Sequence, residues 1–183
     1  MLFDAIFIIY MAVNVFLGYR YGLFRRVIHI GFFFLGMLLA QALSPGFAEQ
    51  FGYGAGPHPA DAHFAVYLGV LFGLVVIAEA LGFLYADALG FLNTMLADRF
   101  LGVLLGLVGA VLELSVLLFL FGQLVNVSLP SGGSHAPIVQ ASQEQVGQSI
   151  IARQLKKAEP SALIVFRPVL PPNPPSYFAK TYT

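Results

Sequence analysis

Four long apolar runs fill the first two thirds of this chain, roughly Leu2–Leu17, Val27–Leu43, Phe64–Ala86 and Phe100–Leu124. About 17–25 apolar residues in a helix span a ~30 Å hydrocarbon core, so these runs predict four membrane crossings. A short linker, Gly18-Tyr19-Arg20-Tyr21-Gly22-Leu23-Phe24-Arg25-Arg26, joins the first two runs and holds most of the basic residues of that region. It is too short for anything but a hairpin turn, and clustered Arg marks the cytoplasmic side of a bilayer.

Composition agrees with a lipid solvent. The 183 residues are 58% hydrophobic and only 10% charged, with a mean hydropathy of +0.83, whereas a soluble domain carries about 25% charged residues. Net charge is zero, so no basic field argues for nucleic acid. With no Cys, disulfides, thiolate nucleophiles and thiolate metal sites are excluded. A cleaved signal peptide needs a basic segment before its apolar stretch; here Asp4 is the only charge before Arg20, so the first run is read as a spanning helix. Trp is absent, and the Tyr and Phe residues supply the interfacial aromatics.

The second run is expected to stop at Ser44-Pro45-Gly46. Residues Phe47–His63, rich in Gly and Pro and free of Lys and Arg, read as a hydrated loop. Asp87–Arg99 has the spacing of a short amphipathic interfacial helix. After a membrane domain over residues 1–130, the segment 131–183 reads as an extramembrane tail: a flexible Ser131-Gly132-Gly133-Ser134 linker, a short helix at about 139–158, and a Pro-rich end from Arg167 expected to be extended and disordered. The fold class is therefore all-α and polytopic, with four transmembrane helices plus a partly disordered C-terminal tail.

Orientation follows from the basic residues. The first linker has three Arg, the loop between the second and third runs none, and the third linker only Arg99. This places the first linker in the cytoplasm and both termini outside. The tail residues Arg153, Lys156, Lys157, Arg167 and Lys180 oppose it, but most lie beyond the ~20 residues over which the rule acts.

Two sets of residues inside the runs stand out. Gly102, Gly106 and Ala110 recur every four residues in the fourth run, as do Gly69 and Gly73 in the third. Such faces permit close helix packing, within the chain or between protomers. The polar residues Asn14, His29, Glu79 and Glu113 form the second set. A carboxylate at mid-membrane costs about 2.5–3.5 kcal/mol on insertion scales and normally faces the bundle interior. With the first linker cytoplasmic, Asn14, His29 and Glu79 share one half of the bilayer, with Glu113 near the midplane. One reading is a proton or ion path through Glu113, Glu79 and His29. The favoured one is hydrogen bonding between helices, because no intramembrane Lys or Arg is seen to pair with either Glu.

His58, Asp61 and His63 are the only cluster resembling metal ligands, and an ordinary loop explains them better. No nucleophile arrangement, phosphate loop or cofactor motif is found, so no catalytic, cofactor or metal residues are assigned and the expectation is a non-enzymatic protein. Its partners are the lipid bilayer and other membrane proteins or further copies of itself. The Pro-rich end reads as a spacer.

Asp4 followed by an apolar helix and then Gly18-Tyr19-Arg20-Tyr21-Gly22 with Arg25 resembles the opening of the colicin V production protein (CvpA) family. Asp98-Arg99-Phe100-Leu101-Gly102-Val103-Leu104-Leu105-Gly106 is similar to that family's entry into its last helix, and Ser149-Ile150-Ile151-Ala152 to its post-membrane segment. Members often carry an Arg and Gly shortly after the second of those glycines, where this chain has Gly109 and Ala110, so no role resting on a basic residue there carries over. The resemblance, over about residues 2–158, implies a four-helix bacterial inner-membrane protein linked to colicin V export or production and to envelope homeostasis. In some relatives the same block is fused to an extracytoplasmic serine protease, which agrees with an outside C-terminus.

Overall fold

The computed structural model describes residues 2–50, 59–84, 96–127 and 135–179, and these are almost entirely helical with no strand among them. Helix α1 (Leu2–Gln50), α2 (Pro59–Leu84) and α3 (Leu96–Val125) form the apolar bundle; α4 (Pro137–Gln148), α5 (Ile150–Phe166), a 3-10 turn (Arg167–Val169) and α6 (Pro174–Phe178) follow. Among the described residues, three helices are long and apolar enough to cross a membrane: α1, α2 and α3.

Helix α1 consists of two arms joined by a break at Gly22 (φ 77°, ψ −175°), backbone that only Gly adopts readily. The break reverses the chain. Asn14 and Arg26 would be ~18 Å apart along a straight helix, yet Arg26 Nη1 donates to Asn14 Oδ1 at 2.8 Å. The two arms of α1 therefore lie side by side, turning where the sequence places a hairpin. Helix resumes at once after Gly22, so Arg25 and Arg26 belong to the second arm rather than to a surface linker, and both are buried.

Helix α3 packs against both arms through the expected Gly102 and Gly106, and also through Gly109. A side chain at Gly102 would collide with backbone of Gly18 and Gly22, one at Gly106 would lie 2.5 Å from the Asn14 carbonyl oxygen, and one at Gly109 would meet Ile30. Ala110 is fully buried on the same face. Asp98 Oδ1 accepts from Leu23 N at 3.1 Å, holding the first amide after the break. Gly69 and Gly73 differ: nothing lies within 4 Å of a Cβ built at either, and both face outward on α2.

The second arm of α1 does not stop at Ser44-Pro45-Gly46 but continues through Pro45 to Gln50. Pro45 has no N–H for the carbonyl of Gln41, four residues back. That carbonyl instead accepts from the Tyr177 hydroxyl at 2.8 Å. Ser44 Oγ completes the repair, 2.8 Å from Tyr177 Oη and 3.3 Å from His63 Nε2. Helix α2 likewise begins earlier than expected, at Pro59, since Pro is favourable in a first helical turn. The segment read as a loop is thus helical at both ends, with Asp61 and His63 buried; residues 51–58 lie outside the described part, as do 85–95, which carry most of the expected interfacial helix.

The tail departs most from expectation. Its single helix is two, divided at Ser149, whose Oγ caps α5 by accepting from Ala152 N at 3.0 Å. The Pro-rich end folds: Pro174 and Pro175 start α6, and Tyr177 and Phe178 are buried. The Phe178 ring packs edge-on against Phe64 and Tyr67 at 5.1 and 5.7 Å between centroids, a geometry that aromatic quadrupoles favour. Phe166, Val169, Tyr177 and Phe178 share one buried cluster with Phe33, Met37, Tyr67 and Leu120 of the apolar helices. The tail is docked on the bundle, not separate from it.

Candidate functional site: a buried charge cluster between three helices

One turn beyond the break, Arg25, Arg26 and His29 project from the same side of the second arm of α1, because positions three and four apart share a helix face. Glu79 of α2 meets all three. Its Oε2 lies 3.1 Å from Arg25 Nη2, and its Oε1 3.4 Å from Arg26 Nη2 and 2.5 Å from His29 Nδ1. The other ring nitrogen of His29, Nε2, is 3.3 Å from Glu113 Oε1 of α3, near but not aligned as a hydrogen bond. Glu113 Oε2 accepts from the Tyr10 hydroxyl at 2.6 Å. Asn14 bridges the first arm, donating to the Tyr10 carbonyl at 3.0 Å while accepting from Arg26. The Arg25 guanidinium also covers the Tyr21 ring at 3.9 Å from its centroid, a favourable cation–π placement.

All four polar residues singled out in the sequence, Asn14, His29, Glu79 and Glu113, therefore meet in one cluster. Tyr10, Arg25 and Arg26 complete it and were missed. The expectation that no Arg pairs with either Glu is overturned at Glu79, which binds two. The signal was available in the spacing of Arg25, Arg26 and His29, which falls on one helix face once the helix is known to restart after Gly22. Two guanidinium groups share the Glu79 carboxylate, while the Glu113 carboxyl group is held by Tyr10 and His29; this pairing and hydrogen bonding offset the loss of water. Glu113 and Arg26 are each 1% exposed, while the Glu79 side chain is 22% exposed and links the cluster to its surroundings.

The residues that carried the family resemblance act as pins. Asp4 Oδ1 accepts from Ser149 Oγ at 2.8 Å and Ile151 N at 3.0 Å, fixing the start of α5 to the start of α1. Gly18 and Gly22 meet Gly102, and Asp98 holds Leu23. Arg20 lies 5.6 Å from the Tyr21 ring centroid and Arg99 6.0 Å from that of Tyr19. Asp61 and His63 diverge: Asp61 pairs with His135 Nδ1 and accepts from Ala136 N, both at 2.6 Å, whereas His63 turns to Ser44. His58 lies outside the described residues.

An apolar groove of about 820 Å³ opens above the cluster between α1, α2, α3 and α4. Its walls include Phe3, Phe72 and Leu114; Tyr10 lies along it, and Asp61 and Ser142 border it.

A helical bundle whose long apolar elements enclose an ion-paired cluster defines a polytopic helical membrane protein. The sequence model of the family described as Colicin V production protein matches residues 3–160. The chain belongs to that family. No curated relative and no solved structure matches it.

Proposed function

We propose that this protein is a non-enzymatic, four-span component of the bacterial inner membrane, acting as an accessory or scaffold subunit in toxin export or production and in envelope homeostasis. Each arm of α1 crosses once in this reading: residues 2–21 rise ~30 Å, the thickness of the hydrocarbon core. The Arg-bearing turn is cytoplasmic and both termini are extracytoplasmic. Because the chain has no native Cys, single cysteines report orientation without background. A cysteine at Gln143 is expected to react with a membrane-impermeant maleimide in intact spheroplasts, and one at Tyr19 only after permeabilisation. The opposite pattern would invert the assignment.

The observation that carries the scaffold reading is the outward face of α2. Gly102 and Gly106 are filled from within the chain, but Gly69 and Gly73 are not, and around them Phe72, Val76 and Ile77 are 41%, 66% and 57% exposed. Small residues on a lipid-facing helix allow a second helix to approach closely. Replacing both glycines by Leu is expected to leave bundle stability unchanged, since each site is open, while abolishing crosslinked oligomers or partners co-purified in mild detergent. An undiminished set of crosslinked species would exclude this face as the contact.

A further inference from the structure

His29 joins two carboxylates of different accessibility. Nδ1 is 2.5 Å from Glu79, which is partly exposed, and Nε2 is 3.3 Å from Glu113, which is sealed. An imidazole can hold a proton on either nitrogen, and intramembrane chains of His and carboxylates are suited to proton relay. Glu113 also has a second neighbour, the Tyr10 hydroxyl, and Tyr10 lines the groove that extends to Asp61 and Ser142. The cluster thus reaches outward through two groups, the partly exposed Glu79 on one side and Tyr10, which lines the groove, on the other.

We propose that His29 carries protons between Glu113 and Glu79, making the three-helix cluster a proton-transfer site. The Tyr10 hydroxyl gives its proton to Glu113 Oε2 and takes another from water in the groove; a half-turn of the Glu113 carboxyl group then presents that proton to His29 Nε2, which accepts it. The proton on Nδ1 moves to Glu79 Oε1, and Glu79 releases it to water on its exposed side. Rotation of the ring restores the starting arrangement, so one proton enters, one leaves and no other group changes. Among the described residues, the charged and titratable groups around the imidazole each take a part. Tyr10 holds Glu113 from the first arm of α1, with Asn14 steering Arg26; Arg25 and Arg26 hold Glu79 from the second arm. Because Nε2 and Glu113 are close but not aligned, a small ring rotation controls that step, which sets this site apart from an open channel.

The test uses the full chain reconstituted into phosphatidylethanolamine–phosphatidylglycerol vesicles containing a pH-sensitive dye, with a potassium diffusion potential as driving force. The wild-type protein is expected to acidify the lumen faster than protein-free vesicles do. Glu113→Gln, whose amide oxygen still accepts from Tyr10, and His29→Gln are expected to fall to the protein-free rate. Glu49→Gln, exposed at the end of α1, is expected to conduct as wild type. Wild-type vesicles no leakier than lipid alone, or Glu113→Gln conducting like wild type, would overturn the proposal. Should His29→Gln not fold, nitrogen-15 spectra of histidine-labelled wild type decide: His29 is expected to exchange between tautomers, and a ring fixed in one form across the pH range would contradict the relay. The scaffold reading stands or falls separately, since lateral association is read by crosslinking and not by flux.

Discussion

Glu79→Ala is expected to lower the unfolding free energy by about 3 kcal/mol, the lower end of the 3–5 kcal/mol for removing one partner of a buried ion pair. The lower end applies because the Glu79 side chain retains 22% exposure, so water partly replaces its carboxylate. The cost arises elsewhere. Arg26, 1% exposed, loses its only charged acceptor among the contacts named above and keeps Asn14 alone. A guanidinium left without a counter-charge in a low-dielectric interior is strongly disfavoured. Unfolding by sodium dodecyl sulfate, followed by circular dichroism because the chain has no Trp, measures the midpoint. Adding Arg26→Met to Glu79→Ala should recover part of the loss, since the stranded charge is removed with its partner. A Glu79→Ala midpoint equal to wild type would show that the cluster contributes nothing to bundle stability.

Gly102→Ala is expected to be at least as damaging, through sterics rather than charge. The added methyl would lie 2.6 Å from the Gly22 carbonyl carbon and closer still to the Gly18 carbonyl oxygen. Both are backbone atoms, so no side chain can rotate away and α3 must separate from the turn. Overpacking costs ~1–3 kcal/mol, occasionally more. The upper end or beyond is expected, because the same separation loosens the Gly106 contact with Asn14 and the Asp98 bond to Leu23. Gly22→Ala should cost about 1–3 kcal/mol from its backbone conformation alone. Gly122→Ala supplies the contrast: nothing lies within 4 Å of its Cβ, so no loss is expected and helix propensity favours the change by up to ~1 kcal/mol. The same detergent titration ranks the three, and a Gly102→Ala protein as stable as Gly122→Ala would refute the close approach.

Much of this arrangement was legible beforehand. The apolar runs, the turn around Gly22, the inward glycines of the fourth run and the choice of Asn14, His29, Glu79 and Glu113 all follow from hydropathy and helical spacing. Three features resisted. Pro45 reads as a stop, because its missing N–H normally leaves a carbonyl unpaired; the sequence does not show that Tyr177, 136 positions from Gln41, supplies the donor. The Pro-rich end reads as disordered, because composition cannot reveal that Tyr177 and Phe178 bury against Phe64 and Tyr67. Arg25 and Arg26 read as surface markers, because adjacency to a turn says nothing about which way the restarted helix is rotated.

That last case also alters the orientation count. Two of the three Arg in the first linker face Glu79 inside the bundle, so the surface charge at that turn rests on Arg20 and, from α3, Arg99. The labelling of Tyr19 and Gln143 positions therefore carries more weight than the basic-residue rule.

By itself the sequence determined the solvent, the helical class and the place where the first two runs reverse, since these depend on hydropathy and on backbone preferences within a few residues. Only the tertiary structure decided which charges are buried together and that the tail belongs to the core. Those outcomes depend on the rotation and approach of helices whose contacting residues lie 54 positions apart at Arg25 and Glu79 and 147 apart at Asp4 and Ile151. Local spacing can place a residue on a helix face, but the partner across the interface is chosen by packing.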